Sequence, residues 1–331
     1  MSRFEEISAL FAEYDMFAQK IDVLKEPNVY KAVTPYGQFV CKRTSARPER
    51  LERISEVLRK LQRKGWKGAV PFVHTKYDDP FVRTEHHLYY LTQWQPGGEQ
   101  WRDQPMAWAP PTVERLGELH ALTQNYQYDD PRQVESLVDS LLNRWQNWIH
   151  GMEEAVGIAQ ERSYPSPFDI VFLANLGFVR EVAKQATEML EDWKERHQTH
   201  ARFRLSLVHG YPHPAHIVPD YAGKGRLINF DRAGFDTPVR DLTLFYRTYF
   251  QMAGDEEGAS QLFHTYSAIF PLRPDEVELL AAFLTYPEKV LRDIDTYYGN
   301  RRNWSELYAV KRLEKNMDRT MRLYRWIRKA F

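Results

Sequence analysis

The side chains of this sequence that could do chemistry are concentrated in residues 207–231. The segment opens on Leu-Val-His-Gly-Tyr-Pro-His-Pro-Ala-His and closes on Ile-Asn-Phe-Asp. Neutral imidazoles bind zinc, copper or nickel, so His209, His213 and His216 allow a transition-metal site as one interpretation. Two prolines among them exclude a regular helix, so the spacing does not place the three rings on one face. Asp231 adds a carboxylate at the end of the segment.

A β-rich region comes first in the chain and contains Lys42. Two runs within residues 29–42 flank a Pro-Tyr-Gly turn, which predicts a hairpin with Lys42 in its second strand. Apolar residues at spacings of three and four predict a helix over residues 48–63. Further strands are expected near residues 70–76 and 82–93, and residues 1–15 are typical of an amphipathic helix.

The remainder of the chain is predicted to be mainly helical. Residues 111–197 lack strand patterns, and residues 204–230 predict a short hairpin that holds the chemical segment. Helices are expected from there to the end. The last of them, residues 311–331, is rich in Lys and Arg and has an apolar face. Such a helix either binds an anionic surface or a partner protein, or packs on its own domain, and packing is the favoured alternative.

Composition excludes several classes of function. Lys+Arg and Asp+Glu both number 45, and this neutrality argues against nucleic-acid binding. Cys41 is the only cysteine, so neither an intrachain disulfide nor a multi-cysteine metal site is possible. The first residues are acidic and no apolar run follows them, which predicts no signal peptide and synthesis in the cytoplasm. No apolar run approaches the roughly 18 residues of a transmembrane segment.

Residues 207–242 resemble the catalytic stretch of the aminoglycoside phosphotransferase-like kinases. That stretch typically reads H-G-D-x-H-x-x-N, then a short hairpin, I-D-F and D-L-A. The residues that match it are His209, Gly210, His213, Ile228, Phe230, Asp241 and Leu242. The resemblance gives His209 and His213 structural roles, which weakens the metal-site interpretation.

The resemblance implies an α+β fold of the bilobal, protein-kinase-like type. A small β-rich lobe is expected over residues 1–95, and a large helical lobe with a degenerate catalytic loop over residues 96–331. Lys42 falls where the family places its ATP-phosphate lysine, and Glu56 is the expected partner of Lys42, with Glu52 second. Lys42 could instead be an ordinary exposed lysine on a strand.

Three positions depart from the family pattern. Tyr211 replaces the catalytic Asp, His216 the metal-binding Asn, and Asn229 the second metal-binding Asp. Phosphoryl transfer of this type needs a carboxylate to orient the acceptor and oxygen ligands to hold Mg²⁺. A phenol, with an ordinary pKa near 10, is a poor base at neutral pH. The sequence therefore predicts a kinase fold without kinase chemistry.

Two features leave a nucleotide site possible. If residues 229–231 are extended, Asn229 and Asp231 point to one side, and Asp231 could restore a metal ligand. The alternative is an Asp that is solvated or ion-paired in the loop. Thr92 and Trp94 lie in a segment that would meet adenine in a kinase, or would simply connect the lobes. No cofactor is expected, with ATP, with or without Mg²⁺, as the alternative.

The C-terminal part of the chain narrows the resemblance. Thr285-Tyr-Pro-Glu-Lys-Val and Asp295-Thr-Tyr-Tyr are similar to CotS-type spore coat proteins, a branch of the same superfamily. This resemblance implies a location in the spore coat and other coat proteins as partners. Three functions stay open at this point: an inactive structural or interaction protein, an active phosphotransferase on a small hydroxyl or amino acceptor, and a nucleotide-binding module without turnover.

Overall fold

The computed structural model divides the chain into two compact units. The first lies within residues 1–123 and 207–235, and the second within residues 124–206 and 236–331. The predicted boundary near residue 95 stays a prediction, because the first unit also holds a helix and the 207–235 segment. The residues that the structure describes are 3–97, 106–124, 133–197, 204–220, 222–252, 254–299 and 303–331.

The first unit is built on an antiparallel sheet. Its strands are β1 (Lys20–Lys25), β2 (Val29–Thr34), β3 (Gly37–Thr44), β4 (Phe72–Val73), β5 (Val82–Arg83) and β6 (Leu88–Gln93). They lie in the order β1-β2-β3-β6-β4, with β5 paired to β6. The sheet has a buried face because residues alternate along the strands, as at Tyr30, Ala32 and Thr34.

Helices and short strands complete this unit. The helix α1 (Arg3–Leu10) continues into a 3₁₀ turn at Phe11–Tyr14, and its apolar side chains join the core beneath the sheet. The other elements are α2 (Pro48–Arg63), α3 (Ala109–Thr123), β7 (Ser206–Val208), β8 (Ile217–Pro219), β9 (Gly225–Leu227) and β10 (Gly234–Asp236). β8 pairs with β9, and β7 pairs with β10.

The second unit is helical, as the sequence predicts. Its α5 contacts α4, α8 and α10, and α10 contacts each of α5 to α9. Trp145 of α4 stacks on Tyr286 with ring centroids 3.9 Å apart, and both side chains are buried in the core. The helices are α4 (Gln133–Glu161), α5 (Pro167–His197), α6 (Pro238–Gln251), α7 (Glu256–Ile269), α8 (Pro274–Thr285), α9 (Glu288–Tyr298) and α10 (Glu306–Ala330).

The apolar face of α10 is buried within its own unit. Leu313, Met317, Leu323, Trp326 and Ile327 are all withdrawn from solvent. Of the two alternatives for this helix, packing on its own domain is therefore the one observed. Across the described ranges, no helix combines the length and the apolar character needed to cross a membrane.

Candidate functional site

The centre of the candidate site is Lys42, which lies on β3 directly opposite Tyr90 of β6. Its side chain is 17% exposed, and its Nζ lies 2.8 Å from Oδ2 of Asp231. The same ammonium donates a hydrogen bond to Oδ1 of Asn229. A largely buried ammonium is thus neutralised by one carboxylate and one amide oxygen, all within the first unit.

Glu56 is not the partner that the sequence suggested. It lies on the exposed side of α2 and pairs with Lys60 at 2.5 Å. The apolar stripe of α2 faces inward, and this orientation turns Glu52 and Glu56 outward. The buried polar residue of the helix is Ser55, whose Oγ lies 2.9 Å from Nε2 of His74. The carboxylate beside Lys42 comes from Asp231 instead.

Asn229 and Asp231 converge on Lys42, but not through an extended chain. Asn229 has a left-handed backbone with φ 67°, and Phe230–Arg232 forms a single 3₁₀ turn. Asn tolerates this conformation better than most residues because its short polar side chain bonds locally. Residues 229–231 are therefore not extended. The left-handed conformation of Asn229 brings the side chains of Asn229 and Asp231 together at Lys42 instead.

A chain of hydrogen bonds runs from Lys42 through Asn229 to His216. The amide nitrogen Nδ2 of Asn229 lies 2.6 Å from Nε2 of His216, and Nδ1 of His216 lies 2.9 Å from the carbonyl oxygen of Tyr211. The carbonyl can only accept, so Nδ1 carries the proton and Nε2 accepts from Asn229. Burial, with a smaller contribution from the charge of Lys42, lowers the pKa of His216 to about 4, which agrees with a neutral ring.

His209 and Gly210 fix the backbone that presents Tyr211. His209 is fully buried, its Nε2 donates to the carbonyl of Ile228 at 2.8 Å, and its Nδ1 accepts from the Tyr211 amide at 3.3 Å. Gly210 has φ 75°, and a Cβ there would lie 2.2 Å from the carbonyl oxygen of Arg232. Only glycine allows this approach.

Tyr211 is half-buried between basic and aromatic groups. The guanidinium of Arg232 lies 4.7 Å from its ring centroid, and the ring of His213 stacks at 5.5 Å. Nδ1 of His213 accepts the backbone amide of Ala215, so this histidine caps a 3₁₀ turn. No three His, Cys, Asp or Glu side chains in the described ranges are grouped so as to hold a metal ion.

The segment proposed to meet adenine continues the sheet. Thr92 lies opposite Val40 of β3, and the amide of Trp94 donates to the carbonyl of Gln38 at 2.9 Å. The Nζ of Lys31 lies 4.2 Å from the ring centroid of Trp94. The backbone amide of Trp94 is therefore already bonded. A nucleotide contact by Thr92 or Trp94 stays a prediction.

Tyr90 also belongs to the site around Lys42, although no sequence motif marks it. Its hydroxyl donates to Oδ1 of Asp231 at 2.6 Å, and burial followed by the charge of Asp231 raises its pKa well above the ordinary value. Phe72 contacts its ring at a centroid distance of 4.7 Å. The available signal was strand register, because Tyr90 is paired with Lys42 across β3 and β6.

A second missed residue, Arg226, anchors the hairpin that carries Asn229. Its guanidinium donates to the carbonyl oxygens of Lys67 and Ala69 at 3.1 and 3.0 Å. Nearby, the backbone of Leu227 exchanges hydrogen bonds with the 68–70 segment. These bonds hold the β8–β9 hairpin to the 67–70 segment that precedes β4, and so fix Asn229 near Lys42.

This donor set is a poor match for Mg²⁺. Mg²⁺ requires hard oxygen ligands in octahedral geometry, whereas His216 offers a nitrogen whose lone pair already accepts from Asn229. The oxygen of Asn229 accepts from Lys42, and both oxygens of Asp231 are engaged by Lys42 and Tyr90. A divalent cation would have to displace the ammonium of Lys42. No step is therefore derived through a metal.

Comparison with solved structures identifies the class of fold. The chain is similar to an aminoglycoside phosphotransferase from Alicyclobacillus acidocaldarius, with a TM-score of 0.78, 19% identity, and coverage of 97% of this chain and 95% of the other. It is also similar to the spectinomycin phosphotransferase APH(9)-Ia bound to ADP and spectinomycin, with a TM-score of 0.64, 13% identity, and coverage of 97% and 98%. The fold is thus kinase-like, as predicted.

The family follows from a match over nearly the whole chain. The family model described as "Spore coat putative kinase YutH" matches residues 8–330, so this chain belongs to that family. The predicted resemblance to kinase-like spore coat proteins is confirmed. No curated protein matches the sequence.

Proposed function

We propose that this chain is a kinase-shaped protein of the spore coat that does not transfer phosphate and acts as a structural or interaction component. The observation that carries the proposal is the closed chain from Lys42 through Asn229 to His216, beside a tyrosine at the position of the catalytic Asp. The groups that would serve nucleotide and metal in a kinase are bonded to one another instead.

The chemical cost of the substitutions supports this proposal. Loss of a general base typically lowers a rate by about 10²–10⁴-fold. Asn229 and Tyr211 remove two carboxylates, and the ammonium of Lys42 bonds to Asn229 at the family's metal position. Positive charge is then already present where Mg²⁺ would neutralise phosphate oxygens. Each loss lowers turnover further.

The location and partners come from the family. Its description names the spore coat, and this supports a location there, a role in sporulation and assembly with other coat proteins. The neutral overall charge favours protein partners over nucleic acid.

One observation favours a second candidate, a nucleotide-binding protein with little or no turnover. Asp231 supplies a carboxylate 2.8 Å from Lys42, two residues beyond the family's metal position. The similar spectinomycin phosphotransferase is solved with ADP, and the similar amicoumacin kinase hAmiN, with a TM-score of 0.59, 14% identity and coverage of 98% and 95%, is solved with AMP-PNP and Ca²⁺. If Lys42 leaves Asp231, it could meet phosphate.

Calorimetric titration of the full chain with ATP, in Mg²⁺ and in EDTA, tests both candidates, with ADP release followed in parallel. We expect no Mg²⁺-dependent binding and no turnover above the protein-free rate. The triple variant Y211D/H216N/N229D installs the family's residues, and Y211F is its control, because it removes the phenol without adding a carboxylate. Binding that requires Mg²⁺, or ADP release by the natural sequence, would overturn the proposal. Equal binding in EDTA would favour the second candidate.

A further inference from the structure

The helical unit contains a cluster of cations that neither the family nor the candidate site explains. It is formed by α6, by the start of α9 and by α10, and it includes the Pro-Glu-Lys-Val motif singled out in the sequence. Its cations outnumber its carboxylates. The cations are Arg247, Lys289, Arg292, Arg312 and Arg319, and the carboxylates are Glu288 and Asp293.

Arg319 is the most deeply buried cation of the cluster. It is 3% exposed, and its single hydrogen bond among the described residues runs from Nη1 to the neutral Oε1 of Gln251 at 3.2 Å. Its buried Nε has no hydrogen-bond partner among the described residues. Arginine stays protonated in proteins, so this is a buried charge with no described carboxylate in hydrogen-bond or ion-pair contact with it. Buried charges are ordinarily paired, because desolvation is costly.

Lys289 is a second cation of the same cluster that has no ion-pair partner among the described residues. It is half-buried, and no described residue forms a hydrogen bond or an ion pair with its ammonium. Burial, and then the like charges of Arg319 and Arg292, lower its pKa. Burial and the charge of Arg247 likewise lower the pKa of Arg319 to about 10. The two side chains therefore share one electropositive environment.

The carboxylates of the cluster are already committed to other cations. Glu288 is bonded by Arg247 and, at 3.1 Å, by Arg292. Asp293 accepts from Nε of Arg312 at 2.7 Å and from the amide of Asn316. Neither is in ion-pair contact with Arg319 or Lys289. Glu288 and Asp293 thus hold the surrounding arginines in place and act on Arg319 or Lys289 only from beyond ion-pair distance.

We propose that the α6/α9/α10 cluster is a binding site for a phosphate group, with Arg319 and Lys289 as its principal ligands. A guanidinium and an ammonium that have no ion-pair partner among the described residues together match a dianion. The planar donors of arginine suit phosphate oxygens, and lysine adds a point charge. The site lies within the helical unit and shares no residue with the Lys42 network. It is therefore independent of whether the proposed function holds.

Calorimetry with inorganic phosphate, at an ionic strength matched with sodium chloride, tests the site in the full chain. We expect saturable binding and a rise in the thermal midpoint that chloride does not produce. Lys289→Met should weaken binding by about tenfold or more, which corresponds to about 1.4 kcal/mol. Arg319→Met should abolish it. Lys184→Met is the matched control, because it removes the same charge from an exposed position on α5.

Three outcomes would overturn the site: no phosphate binding beyond chloride, binding that survives Lys289→Met, or equal weakening by Lys184→Met. Because Arg319 is buried, its variant is interpreted only if circular dichroism shows a folded chain, and Lys289→Met decides the question otherwise.

A parallel titration with glycerol 2-phosphate distinguishes the source of the phosphate. Tighter binding of the ester indicates a phosphorylated small molecule, and tighter binding of inorganic phosphate indicates the free ion. Both support the proposal.

Discussion

Lys42 in the first unit and Arg319 in the second are both cations withdrawn from water, but their surroundings compensate them differently. Lys42 meets Asp231 and Asn229, and Tyr90 and His216 in turn satisfy those two side chains. Arg319 meets one neutral amide. The network around Lys42 is closed upon itself, whereas the carboxylates of the helical cluster are bonded to other cations and neither forms an ion pair with Arg319.

This difference shows where binding is to be expected. A buried network in which every donor and acceptor is satisfied contributes rigidity, and a ligand must break bonds to enter it. An unpaired buried charge costs free energy that a ligand would recover. The position inherited from kinases is thus the less favourable place for an anion in this chain. The two regions should also respond to charge removal with opposite signs.

The largest effect is expected from Asp231→Asn. The substitution leaves the ammonium of Lys42 without an anion while preserving shape, so we expect the free energy of unfolding to fall by about 2–3 kcal/mol. Denaturant unfolding monitored by circular dichroism measures it. Asp78→Asn is the matched control, because it breaks the exposed Arg59–Asp78 pair of the same unit and should lower the free energy of unfolding much less. Equal losses in the two variants would mean that the Lys42 network is not specially stabilising.

The second effect is a pH dependence from His216. Its pKa in the folded chain, about 4, lies below the ordinary value of about 6.5, so the unfolded chain takes up the proton first. The contribution to stability is complete above pH 6.5 and is lost as the pH falls towards 4. We expect a loss of about 2 kcal/mol between pH 8 and pH 5.

Unfolding measured across this range, in the natural chain and in His216→Asn, isolates the contribution. In His216→Asn the free energy of unfolding should fall less steeply with falling pH. In His86→Asn, which removes an exposed histidine, this slope should be unchanged. If His216→Asn keeps the full slope, the pH dependence does not come from a buried neutral His216, and the closed chain of the first unit is incorrect.

Much of the fold was accessible from sequence because local patterns determine it. The helix predicted over residues 48–63 has those bounds in the structure, since its apolar spacing and Pro48 specify a helix start and a buried face. The strand β1 was not predicted. It lies at the sheet edge, and most of its side chains are exposed, so no alternation marks it.

The site was only partly accessible for a related reason. Tyr211, His216 and Asn229 could be found because the family motif is contiguous in sequence. The partner of Lys42 could not, because helix spacing alone does not say which face of α2 meets the sheet, and that face excludes Glu56. The left-handed conformation of Asn229, which brings Asp231 to Lys42, has no sequence signal beyond the tolerance of Asn for it.

The smallest effect, and the one of opposite sign, is expected from Lys289→Met in chloride buffer without phosphate. The change removes a half-buried ammonium from among like charges and keeps an unbranched side chain, so we expect the free energy of unfolding to rise by about 0.5 kcal/mol. Lys184→Met, on an exposed helix surface, should change it by less. Added phosphate should make the natural chain more stable than Lys289→Met, because only the natural chain gains the stabilisation of a bound anion. If Lys289→Met is destabilising in chloride, the ammonium is already compensated, and the contrast with the Lys42 network disappears.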